Sequence, residues 1–270
     1  MSGDRFEGSW LALREAADHR ARAGELLDPL AEAWREGRWS RVVDLGAGTG
    51  SNLRYLAPRL PGPQRWTLVD HDAALLEETR RGEPPRARDG EEVSLEVRVG
   101  DLVGEGLADV EEAELVTASA LLDLVTEEWL EALARRCAAA GAAALLALTW
   151  DGSVRWSPPA HPDDARTVEA VVRHQRTDKG MGPALGPDGA AVAERLFRDA
   201  GYRTRLRPSP WVLGAADAPL VEALVTGWEE AAVAVRPDEA ERIRAWARHR
   251  RRPLGDGTLT VGHLDLLALP

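Results

Sequence analysis

Apolar positions along the chain alternate between two rhythms. The runs RVVDL, WTLVD (66–70), VSLEVRVGDL (93–102), AELVTASAL (113–121) and AAALLALTW (142–150) are short, rich in Val, Leu and Ala, and read as buried strands. Between them, SNLRYLAPRL, AALLEETRR and EEWLEALARRCAAA carry apolar residues at helical spacing. Strand and helix in turn predict a parallel sheet with helices on both faces. The link from Gly104 to Glu112 is too short for a long helix and leaves that crossover loosely specified.

The flanks depart from this alternation. From Trp10 to about Glu36 the chain is rich in Ala, Leu, Glu and Arg, with Pro29 as its one proline, which predicts two helices breaking near Leu27 to Pro29. Residues 1–40 read as an N-terminal helical lid and 41–270 as one α/β domain. After Trp150 the alternation pauses: about 151–187 form an insert after strand five, with a short helix from about Asp163 to Gln175. Connections of that length usually serve as binding loops or lids. A helix, GAAVAERLFRDAGY, then leads into a strand at 202–213, which Pro208 and Pro210 push toward a sheet edge. Two helices separated near Pro237 follow, and TLTVGHLDLLAL (258–269) closes the chain.

Composition narrows the partners. The formal charge of the 270 residues is -11, so an anionic surface would repel phosphate backbones and no nucleic-acid partner is expected. The basic cluster Arg248 to Arg252 reads as charge complementing a helix C-terminus. Cys137 is the single cysteine, which rules out a disulfide framework and suits a reducing cytoplasm. The N-terminus lacks the pattern of a secretory signal and no apolar run reaches a membrane span, so a soluble protein without a membrane partner is expected. His, Asp and Glu spacing indicates no metal. Oligomeric state is not readable.

The chemically specific segment is VVDLGAGTGSN, Val42 to Asn52. Gly46, Gly48 and Gly50 at alternate positions let the chain turn sharply and let a ligand approach the backbone. A dinucleotide fingerprint would place its third glycine at 51, where Ser51 stands, so NAD fits poorly. Asp44, two residues before the first glycine, suits a ligand with an ammonium group and would repel a pyrophosphate. The next strand ends in Asp70, placed to accept hydrogen bonds from two ribose hydroxyls. The third ends in Gly100-Asp101-Leu102, an acid for an exocyclic adenine amine beside an apolar neighbour for the ring face.

Taken in order, DLGAGTG, LVD, VGDL and TASALLDLV resemble the motif series of the class I S-adenosylmethionine-dependent methyltransferases, over about the first 150 residues. The resemblance implies a Rossmann-like seven-stranded sheet whose last strand is antiparallel, with 202–213 and 258–269 as strands six and seven. It implies S-adenosylmethionine as cofactor, with Asp44 and Gly46 at the methionine moiety, Asp70 at the ribose, Asp101 and Leu102 at adenine, and Ser119 near the methyl-transfer centre. Gly48, Gly50, Asn52 and His71 complete the candidate cofactor contacts.

For the acceptor, three segments can reach the crevice beyond the strand ends: the N-terminal helix, the loop after strand four and the insert. Trp10 and Arg14 on the first, and Trp156, Arg173 and Lys179 on the last, are candidate substrate contacts, joined by Arg20 and Gln175. Their local excess of base suits a small-molecule acceptor bearing a carboxylate or another anion. His174, His161 and His19 are candidate bases, with Asp151 placed to orient one; a carboxylate acceptor needs no base. Two other readings stand beside methyl transfer: a different transfer from the same nucleoside, and a regulatory protein that binds the cofactor without turnover.

Overall fold

Val42 and Val43 sit on neighbouring positions of one strand and enter different cores, and that period of two organises the molecule. The computed structural model describes residues 8–102, 105–157 and 161–270. Strands β1 (Arg41–Leu45), β2 (Gln64–Asp70), β3 (Val93–Val99), β4 (Leu115–Ser119) and β5 (Ala143–Ser157) run parallel, in the order β3-β2-β1-β4-β5. Strand β8 (Thr258–Leu269) lies antiparallel beside β5, and β6 (Arg203–Pro208) pairs with the other side of β8. A short β7 (Trp211–Leu213) also pairs with β8.

One face of the sheet is covered by α5 (Glu127–Ala140), α7 (Gly189–Asp199) and a 3-10 segment at Glu105–Glu112. Leu130, Leu133 and Cys137 of α5 meet Phe197 of α7 over Val43, Val116 and Leu146. Thr126 caps α5 by accepting from the Trp129 N–H, and Gly141 ends it in a left-handed turn. The other face carries α2 (Leu27–Gly37), α3 (Ser51–Leu56) and α4 (Ala73–Arg81), packing Trp34, Leu56 and Leu76 on Val42, Trp66 and Leu145.

Three differences from the sequence pattern have physical causes. The fifth strand does not stop at Trp150; Val154, Trp156 and their neighbours continue it by pairing with Thr258 to Val261 across two bulges. The 202–213 strand is divided, because Ser209 leaves the ladder to donate its hydroxyl to the buried Asp265 and its N–H to the His263 carbonyl. The break between the first two helices falls before Pro29: α1 (Gly8–Ala21) is followed by a 3-10 turn at 24–26, and Pro29 sits in the first turn of α2, where a missing N–H costs nothing.

The extended part of β5 and β8 supports a third core. There α6 (Asp164–Gln175), α8 (Ala218–Val235) and α9 (Ala240–Arg250) enclose Trp150, Trp211, Trp246, Val225 and Val261. Asp164 locks it by accepting from the Trp246 indole and from Arg250, whose guanidinium also lies 4.4 Å from the Trp156 ring. Among the described residues no helix is long and apolar enough to cross a membrane.

Candidate active site

The carboxyl ends of β1, β2 and β4, together with the chain just beyond β3, meet on one side of the sheet. Together with α1 and a turn at 178–183 they enclose a cavity of about 350 Å³, within the range of small-ligand sites.

The glycine loop forms its floor. Gly50 caps α3 at φ 77°, and a Cβ there would lie 2.6 Å from Thr79 Cγ2, so only glycine fits. Gly48 faces Leu11 of α1 and donates its N–H to Asp70 Oδ2 at 2.8 Å, which ties the loop to the end of β2. Asp70 Oδ1 accepts from the Asp72 N–H at 2.9 Å, with His71 Nδ1 at 3.3 Å. Each oxygen keeps a lone pair for a further donor.

Asp44 is the unusual member. Buried to 1% exposure, it accepts from Asn52 Nδ2 at 2.9 Å through Oδ1, while Oδ2 has no hydrogen-bond partner among the described residues. Burial pushes its carboxyl up to about 7, opposed by Asn52 and Arg22 and reinforced by Asp70. A buried acceptor without a donor is costly, and a ligand ammonium group would satisfy it. Leu102 is buried, with its carbonyl held by the Trp129 indole N–H at 2.8 Å, and Asp101 beside it is exposed.

Cavity walls are therefore shared by Asp44, Gly46, Gly48, Asn52, Asp70, His71, Asp101, Leu102 and Ser119 of the candidate cofactor set, and by Arg14 and Lys179 of the candidate acceptor set. Gly50 lies beneath the lining, at the start of α3. Trp10, Trp156, Arg173, His161, His174 and His19 do not line it. Trp10 and Trp156 pack against the third core, and His161 faces the His249 ring at 4.8 Å. His19 Nε2 is 3.0 Å from the Ser51 carbonyl and its ring lies against Tyr55. His174 Nδ1 is 3.5 Å from Lys179 Nζ. Arg20 pairs with Asp217, Asp151 accepts from the Ser153 N–H, and Gln175 Nε2 reaches Asp123 Oδ2 at 3.5 Å.

Several residues at or around the cavity carry no mark in the sequence. Leu11, Leu121, Leu124 and Met181 supply apolar wall. Asp18 holds Arg14 through two hydrogen bonds, at 2.9 and 3.2 Å, and accepts from the Trp211 indole at 3.0 Å. Asp123, buried after β4, is pushed up to about 6 by burial, against the charges of Arg14 and Lys179. Lys179 reaches the cavity because Asp178 Oδ1 accepts from the N–H groups of Gly180 and Gly182, and Asp178 bridges Pro183.

A parallel sheet reversed at its last strand, a glycine crossover after β1 and acids at successive strand ends form a crevice of the kind the methyltransferase resemblance implies. Residues 42–141 match the family model described as a methyltransferase domain. Over that stretch the chain carries a methyltransferase domain, and its sheet order agrees with the class I S-adenosylmethionine-dependent methyltransferases that the motif series resembles. A cyclopropane-fatty-acyl-phospholipid synthase-like protein from Lactobacillus casei is similar in fold, at 13% identity, covering 100% of this chain and 96% of its own with a TM-score of 0.56. A methyltransferase bound to the Trm112 activator from Haloferax volcanii is 19% identical, covering 97% of each chain at a TM-score of 0.50. A Geobacter sulfurreducens S-adenosylmethionine-dependent methyltransferase in complex with S-adenosyl-L-homocysteine is 18% identical, covering 97% of this chain and 98% of its own at a TM-score of 0.42. No curated protein matches the sequence.

Proposed function

We propose that the protein transfers the methyl group to a small-molecule acceptor carrying a carboxylate or another anion, and that it acts in the cytoplasm. The observation that carries the anionic acceptor is the placement of Lys179 on the wall of the cavity that Arg14, Leu121, Leu124 and Met181 also line. Arg14 is answered by Asp18. The cytoplasmic placement rests on the lone cysteine.

When bound, the cofactor supplies an electrophilic methyl on a sulfonium; the methyl bonds to the acceptor as its bond to sulfur breaks, leaving a neutral thioether. In this reading the chain's own residues orient and enclose. Asp44 holds the ammonium of the methionyl tail, Asp70 the ribose, and Asp101 with Leu102 the adenine. Alignment supplies much of the acceleration in an in-line displacement. Lys179 holds the acceptor's negative charge, while α1 and the 178–183 turn exclude water. Among the described residues His71 is the sole histidine in the lining, beside Asp70, and a carboxylate acceptor has no proton to lose.

Lys179→Met tests the assignment. With labelled cofactor and a panel of small carboxylic acids, phenols and amines, KM for the accepted acid rises about tenfold or more while cofactor affinity is unchanged. Turnover confined to neutral acceptors, or an unaltered KM, overturns the anionic reading.

A further inference from the structure

Arg22 stands where α1 ends and the chain bends toward the 3-10 turn at 24–26. Its side chain is 4% exposed and points inward, 4.5 Å from the centre of the Tyr55 ring and 3.4 Å from Asp265 Oδ2. Asp265 is itself fixed: Oδ1 accepts from the Leu148 N–H at 2.7 Å and the Ser209 hydroxyl at 2.6 Å, and Oδ2 from the Ala23 N–H at 3.0 Å. From this anchor Arg22 Nη1 donates to Asn52 Oδ1 at 2.7 Å.

That bond fixes the oxygen side of the Asn52 amide. Nδ2 then donates to Asp44 Oδ1 at 2.9 Å and to Thr117 Oγ1 at 2.8 Å. The Thr117 hydroxyl spends its own proton on the Leu145 carbonyl at 2.8 Å, so it accepts from Asn52 and cannot donate to it. Turning the amide over would set its oxygen against the Asp44 carboxylate and its NH2 against the guanidinium. Arg22 thus completes, from the N-terminal segment, a network in which Thr117 and Asp44 hold the amide nitrogen and Arg22 holds its oxygen, and which ends at Asp44 Oδ2.

We propose that Arg22 is a positioning residue for the cofactor: by holding Asn52 in one orientation it aims Asp44 Oδ2 at the ammonium of the methionyl tail, so docking of the N-terminal segment completes the site. This rests on the assignment of Asp44 to that tail. By linkage, a ligand bearing the ammonium tightens the docking of the N-terminal segment by the same factor.

The test compares two ligands differing in the tail. Full-length wild type, Arg22→Met and Arg22→Lys are titrated calorimetrically with S-adenosylhomocysteine and with 5′-methylthioadenosine, which keeps the nucleoside and lacks the amino acid. Arg22→Met weakens S-adenosylhomocysteine about tenfold or more and changes methylthioadenosine less than about twofold. Arg22→Lys, which keeps the charge beside Asp265, preserves the fold if the methionine variant does not and shows the same selectivity. The pH at which S-adenosylhomocysteine binding is half lost also moves up, since Arg22 is the cation facing Asp44 and Asp70 is the acid opposing it. Parallel loss of both ligands, or no loss of either, overturns the proposal. A wild type that binds neither ligand overturns the site assignment itself.

Discussion

The two halves of the cavity are made of different materials. The half proposed for the cofactor is backbone and short acids on strand ends: Gly48 donates to Asp70, Asn52 donates to Asp44, and Leu102 is pinned by Trp129. The half proposed for the acceptor is long side chains on a helix and a turn, Arg14 from α1 and Lys179 from 178–183, with α1 itself held by exposed ion pairs such as Glu15–Arg54. A sheet fixes geometry through a ladder of shared hydrogen bonds, whereas a helix laid across the crevice is fixed by whichever contacts it makes. The first half therefore suits a constant ligand and the second a variable one.

The sharpest break of this comparison is Asp70→Ala, which removes the acceptor for the Gly48 N–H and the one proposed for the ribose. Calorimetry should show S-adenosylhomocysteine affinity falling about a hundredfold. A change within about threefold would mean the strand ends do not carry the binding.

Asp44 gives the next largest effect, and its sign is unusual for an acid. Its carboxyl is raised from 3.8 to about 7, so the ligand-free fold favours the protonated form; its contribution is fully present below about pH 4 and is lost as pH rises to about 7. Asp44→Asn should melt progressively higher than wild type from pH 4 to pH 7, with the margin then constant at roughly 2–4 kcal/mol. A margin independent of pH refutes the buried, unpaired carboxylate.

The third core should be separable from the cofactor. Arg250→Met leaves Asp164 without its cation and should lower urea stability by about 2 kcal/mol, leaving S-adenosylhomocysteine affinity of the folded protein unchanged. Coupled losses would show that the α6, α8 and α9 layer shapes the nucleoside end. Smallest is Glu15→Gln, which removes one exposed pair holding α1 to α3 and should cost under about 1 kcal/mol in melting experiments. A larger cost would make α1 a rigid wall.

Legibility follows the same division. Gly46, Gly48, Asp44, Asp70, Asp101 and Ser119 were readable because local order places them: each stands at or just past a strand's carboxyl end, and the sheet brings those ends together. Segment position and basic character mark Arg14 and Lys179 in the sequence, and they mark Arg173 and His161 equally, which lie off the cavity. Nothing in a local window separates these pairs. Arg22 carried no signal either, since its partners are Asn52 and Asp265, thirty and more than two hundred residues away in sequence.

The sequence by itself determined the alternation, the glycine crossover and the series of acids, because period, turn chemistry and strand-end position are local properties. Only the tertiary structure decided which charges face the cavity, that Trp150, Trp211 and Trp246 form a third core, and that a residue of the N-terminal segment hydrogen-bonds Asn52. Those outcomes depend on how distant segments pack, where burial and the need to pair every buried polar group select one arrangement.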